Sequence, residues 1–521
     1  PGRGGMTRTA LVVLALLIAA PPPVLAHGKD GNHANPNTPA SASYGAVHFA
    51  NSGNAAAQAS FGRGLAQLHN FEYGTAAEFF RTAQAADPGF AMAYWGEAMT
   101  YNHPVWFEQD ATAARAVLAK LGPTPAARAA KAKTQREADY LAALEILYGD
   151  GSKDDRDLRY RDAMLKLHQR YPTDVDATAF AALSELGTAH QGRDYATYMR
   201  SAALLEDVFP TNLTHPGVLH YLIHSYDDPI HAPLGLRPAL RYGAVAPDAG
   251  HALHMTSHIF LALGLWPQTI SANIAADAAS NRTRAAAGKP PFHCGHYADW
   301  LTYAYLQTGE IAKHDAAMAA CGTSATTALA RPNPPVLENY RDPVRSWSDM
   351  QARRAVETRD WRPVSLPEGR YLASRYRQLY AEAVATRGDA ARLAAIAAQM
   401  TALSATMAAE HAKLPADADD SSADYPAKFK IMAGQVKALE QLAAGQTAAG
   451  IAALRAVAAE EAAQPVDFGP PEVFKPSYEL LGEVLLAQGQ YAEAQVAFGK
   501  ALEAAPGRRL ALAGLAAAQK K

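Results

Sequence analysis

The chain has 521 residues, is 49% hydrophobic and carries a formal charge of −2. That size buries a large core, either as several domains or as one repeat array that absorbs the whole length. So weak a charge gives no basis for nucleic acid or an anionic membrane surface as a partner. Alanine-rich stretches with little Val/Ile alternation favour helix throughout.

Residues 1–5 precede Met6, a candidate true start. Arg8, the apolar run 10–20 and the small-residue site Val24-Leu25-Ala26 predict a signal peptide over 1–26, cut after Ala26, and hence a periplasmic or secreted protein. The run is too short to span a bilayer, and no later segment is longer and apolar, so no membrane span is expected. Residues 27–43 are rich in Gly, Asn, Pro and Ser and predict a disordered tail. His27 and His33 within it offer copper a chelate, against the plainer reading of a polar tail.

Helical pairs are expected from about Tyr44. Gly64, Ala76, Phe80, Ala83 and Pro88 form one unit: small residues let two helices close, Phe80 fills the gap, and Pro88 stops the second helix. Gly482, Ala494, Phe498, Ala501 and Pro506 repeat that order near the other end. Gly264, Gly309 and Gly489 mark turns between paired helices. The stretch 331–367, rich in Pro, Arg and Trp, reads as a linker, and 414–426 as an exposed acidic loop. The organisation read from this is an N-terminal repeat lobe over 44–330 and a second lobe over 368–521.

The two units resemble the tetratricopeptide repeat, whose period is 34 residues. The runs Leu68-His69-Asn70-Phe71-Glu72-Tyr73, Ala91-Met92-Ala93-Tyr94-Trp95-Gly96 and His103-Pro104-Val105-Trp106 resemble an exported bacterial branch of that family with His-rich repeats. So do the stretches 220–229 and 251–259. The resemblance implies an all-α solenoid of stacked antiparallel helix pairs, degenerate in the middle, that binds a protein or peptide in a concave groove. It supplies no reaction. It also places His69, His103, Trp95, His251, His296, Asp299 and Tyr303 at groove-lining positions, with His220, His224, His254 and His258.

His220 and His224 lie four apart, and His254 and His258 repeat the pair 34 residues on. Residues four apart share a helix face, so two neighbouring helices would each present two imidazoles at one height. These four are the candidate ligands of one transition-metal ion, with imidazole suited to Zn, Cu, Fe or Ni. Asp299 is the carboxylate that would complete or orient the shell; Asp227 and Asp228 are set aside because they end a helix before Pro229. The bland reading is a polar groove whose histidines bind a carboxylate or each other. An enzyme is the third reading. Neither His pair encloses a Glu, and no phosphate loop, Gly-x-Ser-x-Gly or Cys-x-x-Cys occurs, so no catalytic residue is assigned. Cys294 and Cys321 fall at ends that a helical hairpin brings together; they are either a disulfide, stabilising by about 3 kcal/mol, or two isolated thiols.

Overall fold

In the computed structural model, residues 43–414 and 425–520 are described, and among them the chain forms 23 α-helices and one two-residue hairpin. The expected signal peptide, almost all of the N-terminal tail and most of the acidic loop lie outside the described residues. No described helix is long and apolar enough to cross a membrane. Helices consecutive in sequence pack on one another through most of the chain: Ala55–His69 on Tyr73–Ala86, Gly250–Ala262 on Trp266–Ala286, Ser477–Ala487 on Tyr491–Ala504. The fold is an all-α array of antiparallel helix pairs.

The two best-matched units show why the pairs close. A Cβ at Gly64 would meet the Phe80 ring at 3.0 Å, and one at Gly96, on the next helix, would meet it at 2.3 Å. Phe80 is therefore clamped between two helices that only glycine allows so near. Phe498 is held likewise between Gly482 (2.7 Å) and Gly514 (2.2 Å). Gly264, Gly309 and Gly489 all adopt positive φ, where a side chain would be strained, and each ends a helix.

The largest core runs from Val47 to Phe260 and a second from Ala352 to Ala518. Between them, Cys294 and Cys321 are disulfide-bonded, with Cα atoms 4.5 Å apart, in a small cluster with Ala298 and Met350. The stretch read as a linker contains a helix, Pro343–Thr358, with much of its length buried. Its start has a local cause: Asp342 accepts the Val344 N–H, and Pro343 occupies the first turn, where its missing N–H costs nothing. The chain's last helices return to its middle. Trp266 Nε1 donates to the Gly507 carbonyl at 2.8 Å, and Arg508 is buried with Glu479, Glu357 and the Tyr303 hydroxyl.

Candidate metal centre

Pro216 and the His215 cap start the helix Pro216–Tyr226, every residue of which is buried. It packs directly on Gly250–Ala262. Apolar residues on all sides let both helices sit inside the body, so their histidines are interior too: His220, His224, His254 and His258 are each no more than 3% exposed. An imidazole is tolerated there only if its two nitrogens find partners.

The structure sorts these histidines into two groups of three rather than one group of four. Ligand atoms of His220, His224 and His251 lie within 4.8 Å of one another, and so do those of His254, His258 and His296. The change from four to three and three has a geometric cause. His251 is one turn before His254 on the same helix, level with the His220/His224 pair, while His296 starts the next inner helix beside His254 (ring centroids 4.5 Å apart). The two groups adjoin, with His224–His258 centroids 6.0 Å apart and His251–His254 6.1 Å.

In the first group His220 Nδ1 donates to the His69 carbonyl at 2.6 Å, which turns its bare Nε2 inward. The Nε2 atoms of His220, His224 and His251 are all buried and have no hydrogen-bond partner. Phe71 caps this group, 4.3 Å from the His220 ring and 5.7 Å from each of the others, on a backbone held at φ +57°. A left-handed conformation at a bulky residue is strained, and such strain clusters at functional sites. Burial drives the pKa of all three histidines well below the ordinary range, and neighbouring imidazoles add to it, so the rings are neutral and able to donate lone pairs.

In the second group His258 Nδ1 lies 2.5 Å from Asp227 Oδ2, and His254 Nδ1 lies 2.7 Å from Asn273 Oδ1. Asn273 uses its own NH₂ on the Thr269 carbonyl, so its oxygen can only accept. His296, at the mouth of the group, is the exposed member, although the wall of protein around it and His258 still push its pKa down. Phe468 and Trp300 flank His258, at 5.4 and 4.3 Å.

A third group, His69, Asp176 and His215, looks similar in composition and differs in wiring. His215 Nδ1 accepts the Val218 N–H, so its Nε2–H donates to Asp176 Oδ1 at 3.1 Å. His69 donates to the same oxygen at 2.9 Å and faces the Tyr221 hydroxyl with its other nitrogen. Burial alone would raise the Asp176 pKa; the two imidazole donors outweigh it and hold it far below the carboxylate range. A Cβ at Gly217 would lie 2.3 Å from His69 Nδ1, so only glycine lets this helix approach.

Several expected groove residues are placed elsewhere. Trp95 is 2% exposed and packed among Phe49, Tyr140 and Phe180. Tyr303 is buried against Trp266 and accepts from Arg508, and His69 belongs to the Asp176 network. His103 falls beyond its helix, in the short hairpin, where it pairs with Glu108 and stacks on Tyr73. Asp299 faces Ser346, not the histidines, and burial lifts its pKa to about 7 against the pull of Arg353. Asp227 and Asn273 are the orienting residues that sequence reasoning missed. The signal for Asp227 was present, an acid three residues after His224, but its partner His258 sits on Gly250–Ala262, two helices further along the chain.

These features define an all-α helical-repeat protein with a buried imidazole cluster. No protein-family model matches the chain, and no curated protein matches it in sequence. Solved structures that resemble it include the APC/C hetero-tetramer Cut9–Hcn1, at 12% identity and TM-score 0.31 over 90% of this chain and 78% of that one. Another is the P58(IPK) TPR domain, at 12% identity and TM-score 0.21 over 89% of this chain and 97% of that one.

Proposed function

We propose that the protein binds a first-row transition ion, Zn, Cu, Fe or Ni, through Nε2 of His220, His224 and His251. The observation that carries this is a set of three histidines whose ligand atoms lie within 4.8 Å of one another and whose buried Nε2 atoms have no hydrogen-bond partners. Each buried polar atom left unpaired costs about 1–3 kcal/mol, and three in one place are a debt that a cation on the neutral rings removes. The His69 carbonyl orients His220 as outer-shell partners do in metal sites. Three neutral imidazoles leave coordination positions open, which suits exchange or chemistry at the ion as well as a structural role. A groove that grips a protein or peptide is the companion reading of a helical-repeat body; the burial of His69, Trp95 and Tyr303 gives it no support at those residues. An exported address accords with the Cys294–Cys321 disulfide, which persists in oxidising compartments.

The test is elemental analysis of untagged, purified protein, with zinc titration of the metal-free form. Bound metal in the wild type, with the ion of the first group lost in a His220→Ala/His224→Ala variant that keeps its helical circular dichroism, is expected. A folded wild type that neither carries nor takes up metal overturns the proposal.

A further inference from the structure

Two imidazoles of the second group meet in an arrangement that neutral histidines do not sustain alone. His258 Nδ1 faces the Asp227 carboxylate and His254 Nδ1 faces the Asn273 oxygen, both of which accept. Both Nδ1 atoms therefore carry the ring proton, and both Nε2 atoms present lone pairs. Those two Nε2 atoms lie 3.1 Å apart. A contact of that length needs a positive centre, either a proton held by one ring or a metal ion on both.

The surroundings favour the ion. His254 is fully buried beside His251, His258 and His296, all imidazole, with the indole of Trp300 4.8 Å from its ring. His296 brings a third ligand atom within 4.8 Å of the other two, from a different helix. The carboxylate–imidazole pair Asp227–His258 is the outer-shell device that fixes the tautomer and orientation of a ligating ring. Neither cysteine is available as a thiolate, and no carboxylate belongs to this group of ligands, so the donor set is all-imidazole.

We propose that His254, His258 and His296 hold a second transition ion beside the first, making the centre a pair. The inference rests on the metal reading of His220, His224 and His251. The two sites differ in access: the first is roofed by Phe71, whereas the second opens through the exposed His296. The outer ion is thus the one that exchanges with solvent and reaches a small exogenous ligand.

Zinc titration of the metal-free full-length protein, followed calorimetrically at neutral pH, tests this. Two equivalents are expected for the wild type and one for His296→Ala, a change at an exposed residue outside the apolar core. Asp227→Asn keeps an oxygen acceptor but loses the charge. It is expected to weaken the outer ion by roughly 10–100-fold and leave the inner one unchanged. One equivalent in the wild type, retained by His296→Ala and lost in His220→Ala/His224→Ala, overturns the pair and leaves the single-ion reading standing; His254 and His258 then share a proton. One equivalent lost in both variants also overturns the pair, because a single ion spans the six rings. No uptake at all sinks both proposals.

Discussion

His69, Asp176 and His215 form one group of three, and His220, His224 and His251 form another, joined by the single hydrogen bond from His220 to the His69 carbonyl. Both are buried, and both have ligand atoms at metal-binding separations. In the first, one carboxylate oxygen takes both imidazole protons, and a tyrosine and a backbone N–H serve the remaining nitrogens. In the second, three nitrogens are left over. The difference teaches that histidine count and spacing do not mark a metal site. What marks it is the donor and acceptor balance, and a buried carboxylate settles that balance before an ion arrives.

The largest effect should come from the satisfied group. Asp176→Ala leaves two buried N–H donors without a partner, and a loss of about 3–5 kcal/mol in unfolding free energy is expected by urea denaturation. The folded fraction should take up zinc as the wild type does. A loss below about 1 kcal/mol, or zinc uptake lost in protein that is still folded, would erase the distinction between the groups.

The open group should respond with a change of sign. His224→Leu removes a buried ring nitrogen that nothing pairs, so in metal-free buffer the variant should equal or exceed the wild type by about 1 kcal/mol. With free zinc at 100 times its Kd the wild type should gain about 2.7 kcal/mol that the variant lacks. Urea melts in the two media measure both halves. If the variant is already the less stable in metal-free buffer, the nitrogen was serving the fold rather than an ion.

How much of this was legible depended on whether a residue's role lies in its own type or in a neighbour's. Phe80 and Phe498 could be read because Gly64 and Gly482 stand at fixed offsets on the partner helix, and the spacing is the packing. The His220/His224 and His254/His258 pairs were visible for the same reason, since four residues make one turn. Their grouping was not. It depends on the height at which two helices meet, which aligned His251, and not His254, with the first pair. The groove position expected of His103 misled, because the helix Ala91–Met99 stops before it and Pro104 follows in a turn. The helix Pro343–Thr358 was hidden by its Arg and Pro content, although Asp342-Pro343 is a start signal in its own right.

The smallest effect belongs to Asp299, the carboxylate expected from the sequence to complete or orient the shell. Asp299 has what Asp176 lacks, a partnerless oxygen, and lacks what Asp176 has, two cationic-capable donors; only the Ser346 hydroxyl reaches it. Burial raises its pKa from 3.8 to about 7. Between those values the folded state holds more protons than the unfolded one, so stability falls as pH rises. The favourable contribution is complete below the unfolded pKa and is lost as pH passes the folded one. Asp299→Asn keeps an acceptor for Ser346 and does not ionise. Its stability relative to wild type should therefore climb from pH 4 to pH 8, by on the order of 2 kcal/mol because the residue is only partly buried. Taking the difference between the two proteins at each pH cancels the histidines they share. A flat difference would mean that Asp299 ionises as freely in the folded protein as in the unfolded chain, and that burial does not hold its proton.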